Sequence, residues 1–64
     1  MSEKYNYDIN MVNNVTIVDI HNSETNELVC TLKRFDEVRT IRLLRTTAHE
    51  EKEILNFIVD HFYW

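Results

Sequence analysis

The sequence predicts an α+β fold: a four-stranded antiparallel β-meander packed on one face by a single C-terminal helix, in the order ββββα. Three observations predict it. Apolar and polar residues alternate with period two through the first 45 positions, and the alternation keeps its parity across three polar breaks. Each break has the composition and length of a hairpin turn. The period then changes to a helical one over residues 48–63.

The first strand is expected over 4–12. Tyr5, Tyr7, Ile9 and Met11 alternate there with Lys4, Asn6, Asp8 and Asn10, which gives a strand one apolar face. Asn13-Asn14 can close a two-residue hairpin without glycine, because Asn tolerates positive φ. That turn pairs Val12 with Val15 and opens a second strand over 15–21. It aligns Met11 with Thr16, Ile9 with Val18 and Tyr7 with Ile20, all on one face. A polar cluster, Asn22–Asn26, reads as a five-residue loop before a third strand over 27–35. On that count Ile20 faces Leu28, Val18 faces Cys30 and Thr16 faces Leu32. Asp36-Glu37 forms the last turn, and a fourth strand over 38–45 sets Leu32 opposite Ile41 and Cys30 opposite Leu43. A slip of one residue at any turn would turn an apolar set into water, so the agreement of three turns carries the argument. Residues 36–45 also admit a helix, with Asp36 as N-cap and Val38, Ile41 and Leu44 or Arg45 on one side. The strand is preferred because it completes the cross-strand pairs.

Helix onset is marked by Thr47-Ala48-His49-Glu50, the spacing of a capping box. Glu50, Glu51 and Glu53 follow in the first turns, where the helix dipole favours negative charge. At 100° per residue Ile54, Leu55, Ile58, Val59 and Phe62 share one stripe, which is expected to cover the sheet.

Composition narrows the classes of function. Sixty-four residues form a single domain, 1–64, with 44% hydrophobic content, enough for a core. One cysteine rules out an internal disulfide and fits a reducing, cytoplasmic setting. Met1–Asn10 lacks the apolar segment of a secretory leader, and no apolar run reaches the length of a membrane span. The chain has no Gly and no Pro. Phosphate-cradling loops, nucleophile elbows and dinucleotide fingerprints need glycine where backbone approaches a ligand, so those sites are excluded.

Site chemistry is sparse. His21, His49, His61 and Cys30 have none of the spacings of zinc sites, so no metal and no cofactor is expected. Ser2 and Ser23 lie in a terminus and a turn, and Cys30 falls on the inward face, so no nucleophile stands beside an oriented base. The chain is read as a non-enzyme.

What remains is surface. The outer sheet face collects Val12, Val15, Ile17, Val29, Phe35, Val38 and Leu44 among polar residues, more apolar area than one uncovered face of a small monomer usually carries. β-branched residues also favour strands on either face, which is the plainer explanation. The partner-binding candidates are Ile17, Val29 and Leu44 at the centre of that face, with Arg39 and Arg42 at its edge for steering. On the helix Phe57 and Trp64, seven residues apart, are either an aromatic anchor or an extension of the core. Charge is segregated. Lys33, Arg34, Arg39, Arg42 and Arg45, against Asp36 and Glu37, make a block of net +3 in a chain of net −4. Arg34 and Arg39 fall opposite each other, which calls for a nearby anion, internal or from a partner. The expectation is a small interaction module that binds another protein stoichiometrically, as an inhibitor, regulator or adaptor. Self-association through the same face is the nearest competitor. A nucleic-acid-binding regulator using the basic strand pair Lys33–Arg45 is the alternative, disfavoured by a pI near 5.2.

Overall fold

In the computed structural model, which describes residues 4–44 and 46–62, the chain is a four-stranded antiparallel sheet followed by one helix. The strands are β1 (Tyr5–Val12), β2 (Val15–Asn22), β3 (Leu28–Phe35) and β4 (Val38–Leu43), and the helix is α1 (Ala48–His61). The sheet order is β1-β2-β3-β4, an open meander with β1 and β4 at its edges. The ββββα arrangement is thus the observed one, and residues 38–43 are strand rather than helix.

Turn chemistry without glycine falls to Asn and Asp. The positive-φ residues among those described are Asn13 (49°), Asn14 (65°), Asn26 (62°) and Asp36 (53°), at least one in every turn. These are the side chains that best tolerate the left-handed region when glycine is absent. Asn13 and Asn14 are both left-handed, as a type I′ hairpin requires, and Val12 pairs with Val15. The whole β1–β2 register follows from that turn: Met11–Thr16, Ile9–Val18 and Tyr7–Ile20. Asp36-Glu37 likewise sets Phe35 against Val38, Leu32 against Ile41 and Cys30 against Leu43.

The β2–β3 register differs from the expected one by two residues. Ile20 faces Cys30, Val18 faces Leu32 and Thr16 faces Arg34. The cause lies in the connection. Asn22 stays in β2 opposite Tyr5, and its side-chain oxygen accepts from the amides of Glu24 (2.8 Å) and Thr25 (3.3 Å). The Asn22 carbonyl accepts from Asn26 N–H, and its own N–H donates to Glu27 O, so the loop closes one residue later than counted. A register shift next to Ile20 then places His21 opposite Leu28, leaving Val29 as the extra residue of a β-bulge. A shift of two keeps parity, so Cys30 and Leu32 still point inward. Leu28, expected inside, moves to the outer face beside His21. Val29, expected on the outer face, is only 8% exposed and belongs to the core.

The core lies between the sheet and α1. It consists of Tyr5, Val18, Ile20, Val29, Cys30 and Leu32 from the strands with Ile54, Phe57 and Ile58 from the helix, and Leu43 and Phe62 pack at its rim. The N-terminus of α1 is capped by Thr47, whose hydroxyl accepts from Glu50 N–H at 3.2 Å. That hydroxyl also donates to the Glu50 carboxylate at 3.2 Å. At the other end Phe62 N–H donates to Ile58 O.

The helix is rotated from the expected stripe. Phe57 is buried, whereas Leu55 is 41% and Val59 75% exposed. Aromatic packing explains the turn. The Phe57 ring meets Tyr5 edge-on at 5.7 Å between centroids and Tyr7 at 6.2 Å. Phe62 packs on Tyr7 at 4.9 Å, and His61 stacks on Phe57 at 4.1 Å. Such rings bury more area than Leu55 and Val59 can and add edge-to-face attraction. Hydrophobicity summed round the helix does not register that preference, because the partners are on β1.

Candidate functional site

The outer face of β3 and β4 carries a groove of about 500 Å³ lined by Leu28, Thr31, Lys33, Thr40, Arg42 and Leu44. Its floor comes from strand alternation. Thr31 faces Arg42 and Lys33 faces Thr40 across the β3–β4 ladder, and these four share the face turned away from α1. One end is apolar, formed by Leu28 at the start of β3 and Leu44 just past β4. Leu44 is held there by its N–H, which donates to Val29 O at 2.9 Å, so the bulge and the groove share a backbone hydrogen bond. The β-bulge also turns Leu28 outward. The groove therefore depends on the local irregularity that sets the β2–β3 register.

Charge on this face divides by strand pair. Asp8 and Asp19 are cross-strand neighbours on β1 and β2, whereas Lys33 and Arg42 lie on β3 and β4. Thr31 sits between the halves and donates its hydroxyl to Asp19 Oδ1 at 3.4 Å. Ile17, half-buried, lies between Asn10 and Lys33. At the turn end of the same face Val12, Phe35 and Val38 are exposed.

Of the sequence-derived candidates, Arg42 and Leu44 line the groove, and Ile17 lies on the same face beside Lys33, outside the groove lining. The structure separates the others. Val29 is in the core. Arg39 pairs with Arg34 on the face that bears the helix, because it differs in parity from Arg42. Arg39 and Arg42 therefore do not form one edge. Phe57 is a core residue, and Trp64 lies outside the described residues. Thr31, Lys33 and Thr40 line the groove without having been candidates, and Leu28 is the apolar groove residue that sequence reasoning placed on the opposite face. Its signal was the run Leu28-Val29-Cys30, three consecutive apolar residues where strict alternation has to fail.

The helix side leaves a second apolar surface. Ile9 (56% exposed), Met11 (71%) and Ile41 are exposed on the inner face, and Leu55 and Val59 are exposed on the helix. The Lys4–Glu53 pair and the Phe57–Tyr5 contact hold the other flank of α1 over the Tyr5 end of the sheet.

Reactive groups are few. The Cys30 thiol is buried, and burial pushes it up from 9.0 to about 11. The Tyr5 hydroxyl is buried without a hydrogen-bond partner among the described residues, and burial raises its pKa. Among the described residues no group of three or more His, Cys, Asp or Glu is placed to hold a metal ion. No helix among them is long and apolar enough to cross a membrane. No protein-family model, curated protein or solved structure matches the chain.

Proposed function

We propose that the chain is a small non-enzymatic interaction module that binds another protein stoichiometrically, as an inhibitor, regulator or adaptor, through the outer face of β3 and β4. The observation that carries this reading is the groove itself. It couples an apolar end, Leu28 and Leu44, to two cations, Lys33 and Arg42, on an exposed sheet face. An apolar anchor with a charged rim is how protein interfaces divide affinity from steering. The partner segment it fits carries a large apolar side chain next to a carboxylate. Arginine forks suit carboxylates, and Arg42 stands over the groove with Lys33 on the same face.

The basic residues favour a protein partner over a nucleic acid. Alternation sends Lys33 and Arg42 to one face and Arg34 and Arg39 to the other, so these four described cations form no single stripe that could follow a phosphate backbone. A buried Cys30 thiol with a raised pKa supports a binding role over a catalytic one.

Crosslinking capture from the source cells tests the proposal, using the wild type, Leu44→Asp and Arg42→Glu, each checked for an unchanged circular dichroism spectrum. A protein recovered in one-to-one ratio by the wild type and lost with both variants supports the reading. Equal recovery by all three would move the site off this face.

A further inference from the structure

β1 is an edge strand of the sheet, with one side unpaired by any described strand. Edge strands present unpaired N–H and C=O groups, and proteins usually guard them with Lys, Pro, bulges or short length. β4 follows that practice, being six residues long and carrying Arg39 and Arg42. β1 does not. It is an eight-residue strand, YNYDINMV, with Asp8 as its one charged residue and an uninterrupted register to β2.

The turn fixes which groups face the edge. Val12 and Val15 flank a two-residue hairpin loop, so they exchange both ladder bonds, and Asn10, Asp8 and Asn6 repeat that pattern toward β2. Tyr7, Ile9 and Met11 therefore direct their N–H and C=O groups outward. Their side chains lie on the inner face, and all three are exposed. Backbone and side chains thus present one continuous, unguarded strip.

From this strip we infer that the chain forms a two-fold dimer through antiparallel β1–β1 pairing, centred on Ile9, which makes one eight-stranded sheet. Antiparallel pairing lets only residues of the same parity face each other, so few registers exist. Centring on Asp8 sets two carboxylates opposite each other and is disfavoured. Centring on Tyr7 sets Met11 opposite position 3, outside β1. Centring on Ile9 places Tyr7 against Met11 of the second copy and Asp8 against its Asn10. That register pairs all of residues 6–12 with about six main-chain hydrogen bonds. It also joins unlike ends. α1 packs at the Tyr5–Tyr7 end of β1 through Phe57 and Phe62 and leaves Ile9 and Met11 bare. The two-fold axis brings the bare end of one copy beside the covered end of the other, where Met11 meets an aromatic ring. The groove between Leu28 and Leu44 is untouched, and both copies present it on the same side of the joined sheet. The inference stands independently of any partner for that groove.

Sedimentation of the whole chain, from about 10 µM to about 500 µM, tests the dimer. The mass should rise with concentration from 7.8 kDa to twice that value. Asn10 is exposed on the outer face, so its charge can be changed without touching the core. Asn10→Asp, facing Asp8 of the second copy twice over, should weaken the dimer by roughly threefold to tenfold, and Asn10→Lys should tighten it by a similar factor. Ile9→Lys, opposite itself across the axis, should abolish it. Circular dichroism confirms that each variant folds. A wild type that stays monomeric at the highest concentration overturns the inference. So does a dimer that ignores the sign of the charge at position 10, or one lost with Leu44→Asp and kept with Ile9→Lys.

Discussion

Lys4 Nζ lies 2.9 Å from Glu53 Oε2 and 3.2 Å from Oε1, so the residue just before β1 is tied to the middle of α1. The pair spans 49 positions of sequence and sets the helix flank that faces the Tyr5 end of the sheet. The Lys4 hydrogen bond holds the Glu53 carboxyl below its ordinary 4.5, and the same bond raises Lys4 above 10.5. A lowered carboxyl pKa gives stability that is full above the unfolded value and is lost as pH falls through the folded one. A raised ammonium pKa gives stability that is full below 10.5 and lost as pH rises further. The pair therefore contributes between about pH 5 and pH 10. The melting temperature of the wild type should exceed that of Glu53→Gln across this window and converge with it in acid. Molar salt should shrink the gap, because Lys4 is exposed and Glu53 is partly accessible to solvent. A gap that persists undiminished at about pH 3 would contradict this account.

The left-handed Asn14, with φ of 65°, makes the first hairpin a direct test of the glycine-free turns. Asn-Gly is the preferred type I′ pair, so Asn14→Gly should stabilise the fold by about 0.5–1 kcal/mol in urea titration. Asn14→Val forces a β-branched residue into the same region and should destabilise by about 1–2 kcal/mol. Equal midpoints for all three chains would mean that this turn does not set the register.

These turns explain how much of the fold was legible. Two-residue loops admit one register each, so β1–β2 and β3–β4 could be read residue by residue. The loop after Asn22 closes through side-chain bonds to Glu24 and Thr25, and the bulge at Val29 adds a residue, so polar composition could not supply that count. The placement of the candidate residues follows the same logic. Ile17, Arg42 and Leu44 lie on the outer face as expected because their parity does not depend on the bulge, whereas Val29 and Leu28 were assigned to each other's side. The rotation of α1 was hidden for a different reason. It depends on Phe57 meeting Tyr5 and Tyr7, a contact between the two ends of the chain.

That rotation predicts opposite outcomes for neighbouring helix positions. Phe57→Ala removes the ring at the centre of the aromatic cluster and should cost about 3–5 kcal/mol. A domain of this size has a total stability of that order, so the variant should be largely unfolded at room temperature. Val59→Ser, at a position 75% exposed, should change stability by less than about 0.5 kcal/mol. Chemical denaturation of both variants checks the pair. The reverse ranking would restore the stripe through Leu55 and Val59.

Tyr5 packs its ring against Phe57 and leaves its hydroxyl buried with no hydrogen-bond partner among the described residues. An unmet buried hydroxyl costs desolvation with nothing in return, so Tyr5→Phe should be neutral or stabilising by up to about 1 kcal/mol. A loss of more than that in urea titration would show that the hydroxyl is bonded in solution.

Cys30 gives a readout of the whole fold. It is fully buried between Ile20 and Leu43 in the sheet register, and its pKa of about 11 leaves about one thiol in a thousand ionised at pH 8. Attack by a disulfide reagent needs both access and thiolate, and the folded state withholds both. Labelling at pH 8 should therefore be slow in buffer and fast in denaturant, with a midpoint that coincides with unfolding followed by circular dichroism. The β3 strand that carries Cys30 also carries Val29, whose carbonyl holds Leu44 at the groove. If the groove region opens without global unfolding, labelling will begin at lower denaturant than the loss of ellipticity. Coincident curves would show that the groove and the core form one cooperative unit.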